Sequence, residues 1–380
     1  IHGMLSDHKI LVVDDDPAIR RMIERLLGAT HRVTSASKIA PALELASKNH
    51  FSLALVDVQL ADSDGDGYAL CRRLRETNPR TEVILVTGSV SHPDEKLYRS
   101  LVEDAFYFLF KPFDRRVLLA LVERCLRLQQ EREAKERYAE ALADDFAKAQ
   151  QFQRSLLPRE AVVHSGWRVE GRHESCDALG GDLYLAHPWE DGVIDFAMSD
   201  VVGHGVSAAM YAGMLRSSLD AARRRSIDPE RIARRLFDSV DYFDGRRYAT
   251  LVYGNLLANG TVRYFNAAHP PPLVSSDAGL STLEPTGGLV CSLFRDKPPT
   301  VAETNLQVGD RVLIYTDGAF ETKNAADQEF GRGRLGEIFT ETRTLPLGNA
   351  LDALLLAVKD YAGGRPIDDD ITLLLLERAG

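Results

Sequence analysis

Five short apolar runs separated by helix-length segments constrain the first third of this chain more than any other feature. They are Ile10–Val13, Val33–Ser35, Leu53–Val56, Val83–Val86 and Tyr107–Phe110. Strands that alternate with helices in this way build a doubly wound parallel α/β sheet, and such sheets bind ligands outside the carboxyl ends of their strands. The residues that close the runs therefore carry the information. The first run ends in Asp14-Asp15-Asp16, the third in Asp57, the fourth in Thr87-Gly88 and the fifth in Lys111-Pro112. Carboxylates on one rim repel one another unless a cation lies among them, and oxygen-only ligation suits Mg²⁺. Such an ion and Lys111 beside Asp57 would supply the positioning and charge neutralisation that phosphoryl transfer needs.

The motifs I-L-V-V-D-D-D-P-A-I-R, A-L-V-D-V-Q-L, I-L-V-T-G and F-L-F-K-P-F occur in order and together resemble the response-regulator receiver domain, a CheY-like five-stranded fold. The resemblance implies that Asp57 is the phosphoacceptor and that a histidine kinase is the phosphodonor. It implies that Asp14, Asp15, Asp57 and the Gln59 carbonyl hold Mg²⁺, and that Thr87 and Lys111 read the phosphate. Phe108 would be the aromatic switch position, and the Lys111–Pro112 bond would be cis. One departure is the long polar loop from Ala61 to Gly67. It opens like a calcium loop at Asp62, but the twelfth position, where a bidentate Glu is required, is Arg73. A Gly-rich turn is the expectation.

From Arg115 to Leu156 the chain has no Pro or Gly and is rich in good helix formers, so one long helix is expected, ended by Pro158. Leu121, Cys125, Leu128, Ala139, Leu142, Phe146, Ala149 and Leu156 follow a 4-3 register, the seam of a coiled coil and of a homodimer. Arg132 and Lys135 interrupt it, and a solvated spacer helix is the other reading. The expected organisation is a receiver over 4–127, a linker helix over 128–157 and an output domain over 158–380.

Past Pro158 the texture becomes short strands (Ala249–Asn255, Val262–Asn266, Val312–Thr316, Ile371–Leu375) with helical stretches over 207–224, 229–243 and 348–361, an α+β layout. Acids again stand at the ends of apolar runs: Asp182 after Gly180-Gly181, Asp200, Asp317, and Asp368-Asp369-Asp370. A pair of divalent ions fits that inventory and can clamp a phosphoryl group for in-line attack. Hard oxygen ligands with few imidazoles favour Mn²⁺ or Mg²⁺ over Zn²⁺.

Q-R-S-L-L-P at Gln153–Pro158, G-G-D-L-Y at Gly180–Tyr184, S-D-V-V-G-H-G at Ser199–Gly205, N-A-A-H-P-P-P-L at Asn266–Leu273, V-G-D-R-V-L-I-Y-T-D-G at Val308–Gly318 and D-D-I-T at Asp369–Thr372 resemble the SpoIIE/RsbU branch of PPM-type (2C-like) serine/threonine phosphatases. The resemblance implies an antiparallel β-sandwich flanked by helices. It implies that Asp200 bridges two Mn²⁺ or Mg²⁺ ions, that Asp317 and Asp369 complete one, and that Asp182 and the Val201 carbonyl serve the other. Water readied by the ions would attack a phosphoserine or phosphothreonine, usually that of a phosphorylated anti-sigma-factor antagonist. His204 is a candidate acid for the leaving alkoxide, or else a packing residue bonded to the helix start at Ser207. Asn266 reads as a turn residue. Leu185, Ala268 and the loop over 288–292 depart from the branch pattern.

Composition removes other classes. Lys+Arg 46 against Asp+Glu 56 gives a net charge of −10, so a field that steers onto nucleic acid or anionic lipid is not expected, and no apolar run approaches membrane-spanning length. The N-terminus shows no signal peptide, Ile1-His2-Gly3 reads as a remnant of cloning, and four scattered cysteines lack zinc spacing. The expected setting is the cytoplasm. G-R-G-R-L-G at Gly331–Gly336 has dinucleotide-fingerprint spacing but follows a polar stretch, not a strand. The expected function is a response regulator with a protein serine/threonine phosphatase output; the alternative is a non-catalytic adaptor that binds a sigma factor or its antagonist.

Overall fold

Strands buried on both faces need apolar side chains at every position. Of the five N-terminal runs, the three central ones meet that condition, and the two edge runs meet it only in part. In the computed structural model, which describes residues 8–60, 62, 64–88, 107–158, 160–239 and 247–380, they form β1 (Lys9–Val13), β2 (Arg32–Ala36), β3 (Leu53–Asp57), β4 (Glu82–Thr87) and β5 (Tyr107–Phe110), with α1 (Pro17–Leu27), α2 (Ile39–Lys48), α3 (Gly67–Thr77) and α4 (Arg115–Ser155). The sheet is parallel, in the order β2-β1-β3-β4-β5. Leu11, Val13, Val56 and Leu85 face α2 and α3, while Ile10, Val12, Leu55 and Ile84 face α1 and the first turns of α4. The order reverses at β1 and β3, so their carboxyl ends open the ligand crevice.

The chain divides into two compact units, Ile1–Leu142 and Ala143–Gly380, and α4 passes from the first into the second. The heptad reading of α4 needs one correction. Cys125 is fully buried with Leu118, Val122 and Leu126 in the core of the first unit, so it cannot meet a partner helix. Ala139 and Leu142, further along, are exposed.

The second unit contains β6 (Val162–His164), β7 (Trp167–Glu174), β8 (Leu183–Pro188), β9 (Ile194–Val201), β10 (Ala249–Leu256), β11 (Thr261–Ala267), β12 (Leu273–Ser276), β13 (Gly279–Thr282), β14 (Ala302–Asn305), β15 (Arg311–Tyr315) and β16 (Ile371–Arg378). Its helices are α5 (Gly205–Arg223), α6 (Pro229–Asp238), α7 (Gly318–Glu321), α8 (Arg332–Glu341) and α9 (Leu347–Ala362). Two antiparallel sheets result, β14-β11-β10-β9-β8 and β13-β12-β15-β16-β7-β6. Successive side chains of a strand point to opposite faces, and the alternation sorts them cleanly. Phe196, Met198, Ile314 and Leu374 join Trp167 between the sheets. Ala197 and Leu251 face α5 and α6, while Leu313 and Leu373 face α8 and α9. Fully burying a large apolar side chain contributes about 1.5–3 kcal/mol, which lets the strand ends carry groups that do not favour folding.

Residues 4–7 of the expected receiver, the first three residues, Ala61 and Ser63 of the long loop, and the last four residues of the helix expected over 229–243 lie outside the described residues. Among the described residues no helix is long and apolar enough to cross a membrane.

Candidate functional site

In the first unit the strand ends bring three acids together. Asp14, Asp15 and Asp57 bring one carboxylate oxygen each within 4.8 Å of one another. Asp16, the third acid of the run, is spent elsewhere: it caps α1 by accepting the Ala18 N–H at 2.7 Å. Lys111 Nζ lies 2.8 Å from Asp14 Oδ2 and 3.1 Å from Asp57 Oδ2. Burial raises the Asp14 pKa, with Lys111 holding it back. Burial alone would lower Lys111, but its bonds to Asp14 and Asp57 hold it above the usual range. Gln59 follows Asp57 closely, its N–H 3.3 Å from Asp57 Oδ1. Thr87 ends β4, Phe108 packs partly buried against the α2–α3 side, and the Lys111–Pro112 bond is cis. A Cβ on Gly67 would stand 2.1 Å from the Asp57 carbonyl oxygen, so the chain after the acceptor passes where only glycine fits. In the same loop, Asp62 accepts the Ile39 N–H and Asp66 caps α3 at the Ala69 N–H. Their carboxylates hold the backbone.

In the second unit Asp182, Asp200, Asp317 and Asp369 come from four separate elements and act on one another electrostatically. Asp200 is pushed up to about 8, by burial first and then by Asp317, Asp369 and Asp370. Burial, with Asp317 and Asp370, lifts Asp369 to about 6. Asp182 is raised well above the usual carboxylate range by burial, Asp200 and Asp370, and Asp317 is raised by burial. Among the described residues, these acids are spread more widely than the trio of the first unit. Crowded carboxylates that raise one another need protons or cations. An all-oxygen donor set of this kind fits divalent ions such as Mg²⁺ or Mn²⁺.

The surroundings show how the fold holds Asp182 in place. Its Oδ2 accepts hydrogen bonds from Thr316 Oγ1 at 2.8 Å and Thr372 Oγ1 at 2.6 Å, one from the end of β15 and one from β16. Thr372 spends its single proton on Asp182, so His173 Nδ1, 2.9 Å from Thr372 Oγ1, must donate. Burial lowers the His173 pKa and so favours the neutral ring; with the proton on Nδ1, Nε2 is left to accept from Ser175 Oγ at 2.9 Å. The two glycines before Asp182 are dictated by contact. A Cβ on Gly180 would lie 1.9 Å from Asp370 Oδ2, and one on Gly181 would lie 2.6 Å from the Val201 carbonyl oxygen.

Three further groups were not visible as functional in the sequence. Asp370, buried, accepts the Cys176 N–H at 2.9 Å and the Gly181 N–H at 2.8 Å, and so anchors the loop that carries Asp182. Gln153, at the end of α4, clasps Gly180 by donating to its carbonyl at 2.6 Å and accepting its N–H at 3.2 Å. Asp177 Oδ2 lies 2.7 Å from His204 Nδ1. His204 stands at the start of α5 but makes no capping bond, and its side chain is 65% exposed. The packing alternative for His204 is thereby corrected, and Ser207 lies within the helix. His269 is fully buried against Thr250, and burial lowers it to about 3. Asn266 closes the turn to His269 through both amide atoms. Leu185 is core, packed on the α5–α6 side. A cavity of about 710 Å³ lies away from the carboxylates, as an apolar groove between the end of α4 and α5.

Comparison with known proteins finds two families in this chain. The family described as Stage II sporulation protein E (SpoIIE) matches residues 190–379, half of the chain, and the response regulator receiver domain matches residues 10–123. "Phosphoserine phosphatase RsbU" of Bacillus subtilis is 24% identical over 306 residues, 79% of this chain and 87% of that protein. "Protein IcfG" of Synechocystis is 22% identical over 62% of this chain, and "Phosphoserine phosphatase RsbP" of Bacillus subtilis 24% over 46%. The chain spans only 41% of the first and 44% of the second. Among solved structures, the SiaA-PP2C domain of Pseudomonas aeruginosa covers 64% of this chain and 99% of its own length at 22% identity, with a TM-score of 0.56. That likeness identifies the fold of the second unit.

Proposed function

The chain belongs to the SpoIIE family and carries a receiver domain, and from this premise we propose that it is a response regulator whose second unit hydrolyses phosphoserine or phosphothreonine in a protein. The observation that carries the reading is the convergence of Asp182, Asp200, Asp317 and Asp369, each raised by burial and most also by its neighbours. Asp200 with Asp182, Asp317, Asp369 and the Val201 carbonyl would hold two Mn²⁺ or Mg²⁺ ions. When bound there, divalent ions supply charge neutralisation and a water of lowered pKa for attack on phosphorus. Thr316 and Thr372 orient the Asp182 carboxylate, and Asp370 and Gln153 fix the loop on either side of it. His204, oriented at Nδ1 by Asp177, would give a proton from Nε2 to the departing seryl oxygen.

In the receiver, a carboxylate oxygen of Asp57 would take the phosphoryl group from a histidine kinase. Asp14, Asp15, Asp57 and the Gln59 carbonyl would hold Mg²⁺, with Lys111 and Thr87 on the phosphoryl oxygens and Phe108 moving in response. The substrate of this reading is a phosphorylated anti-sigma-factor antagonist in the cytoplasm, and the exposed part of the α4 seam would pair two copies of the chain. The test is hydrolysis of a phosphoserine peptide and an aryl phosphate with Mn²⁺ by the full chain and by Asp200→Asn. Turnover by the parent and its loss in the variant are expected. Equal inactivity of both would overturn the reading in favour of a binding adaptor.

A further inference from the structure

Arg332 is a cation that the fold holds beside Asp317 and Glu321 and, among the described residues, leaves without a hydrogen bond or ion pair. It opens α8, in the G-R-G-R-L-G segment for which the dinucleotide reading fails. Two backbone bonds tie that start to the element carrying Asp317: Phe330 N–H to the Thr322 carbonyl and Gly331 N–H to the Phe320 carbonyl, each 2.8 Å. The guanidinium lies over the Phe320 ring, 4.4 Å from its centroid, and Phe320 is itself braced edge-on by Tyr315. Phe320 stands three residues after Asp317, and Arg332 is close enough to act on Asp317 electrostatically. Yet among the described residues its guanidinium makes no hydrogen bond or ion pair.

Helix stability does not account for this placement, because a cation in the first turn opposes the helix dipole. Packing accounts for it only in part: stacking uses the face of the guanidinium and leaves its in-plane N–H fork free. That fork matches the oxygens of a phosphate. A dianionic phosphoserine approaching a pocket lined by aspartates meets repulsion at long range, and a fixed cation beside Asp317 offsets it.

We propose that Arg332 is a substrate-binding residue that takes non-bridging oxygens of the substrate phosphate. This deepens the phosphatase reading and rests on it. Arg332→Gln and Arg332→Lys in the full chain test it with a phosphoserine peptide, Mn²⁺ and inorganic phosphate as competitive inhibitor. For Arg332→Gln, KM and the inhibition constant of phosphate should both rise about tenfold or more, with kcat nearly unchanged. Arg332→Lys should recover part of the loss, since it keeps the charge but not the fork. KM and inhibition constant within about twofold of the parent would overturn the proposal. Titration calorimetry of inorganic phosphate with Mg²⁺ present separates it from the phosphatase reading. Should the parent bind phosphate but hydrolyse nothing, the phosphatase reading fails, and weaker binding by Arg332→Gln still supports the role of Arg332. Equal binding by the two proteins, or none by the parent, overturns it.

Discussion

Replacing Asp370 by asparagine sets two effects of opposite sign against each other, and the structure says which wins. The wild-type carboxylate is 2% exposed and accepts two backbone N–H groups, from Cys176 and Gly181. An amide has one acceptor oxygen, so one of the two N–H groups must face an NH₂. A hydrogen bond to a charged group contributes about 1.5–3 kcal/mol, and a buried donor left unpaired costs about 1–3 kcal/mol, so the loss is about 3–5 kcal/mol. Against this, Asp370 raises Asp182, Asp200, Asp317 and Asp369, and removing its charge relieves that repulsion. The relief is partial, because burial is the first cause of the shift at each of the four. A net destabilisation of about 2–3 kcal/mol remains, which for a unit of this size lowers Tm by about 4–12 °C. Calorimetric melting of the full chain, read at the transition of the second unit, measures it. The loss should be smaller in EDTA than in Mg²⁺, since repulsion among the acids is strongest without cations. An unchanged or raised Tm in Mg²⁺ would refute the claim that Asp370 holds the Asp182 loop through its two acceptor bonds.

Two other substitutions probe separate parts of the molecule. Ala268 sits at φ +55°, where a Cβ costs about 1–2 kcal/mol, while glycine gives back about 0.5–1 kcal/mol through the unfolded chain. Ala268→Gly is therefore expected to raise Tm by about 1–4 °C, and a lower Tm would show that the turn from Asn266 to His269 is unstrained. Asp57→Asn should abolish any change in phosphatase rate produced by a small phosphodonor and leave basal turnover intact. Stimulation that survives in the variant would remove Asp57 from the switch.

Residues at the ends of strands were legible one at a time. An apolar run of strand length that stops at Asp14, Asp57, Thr87 or Asp317 announces both the strand and the group exposed at its end, because burial on both faces forces every interior position to be apolar. The long helix was legible too, but its heptad register was misleading at Cys125. A helix packing on its own sheet and a helix packing on a partner show nearly the same spacing, and only the tertiary contact with Leu118 and Val122 tells them apart. The middle acid of Asp368-Asp369-Asp370 could be singled out by resemblance, while the part played by Asp370 could not. Its partners, Cys176 and Gly181, lie 194 and 189 positions away.

What the amino-acid order determined by itself was thus the set of elements, the two architectures and the acids at strand ends, since burial and periodicity act over a few residues. Which acids face each other, why Gly180 and Gly181 admit no side chain, and that Gln153, Asp177 and Arg332 stand beside the site were decided by strand pairing and by the helices packed outside it. Those contacts join residues far apart in the chain, and no local pattern encodes the distance between them.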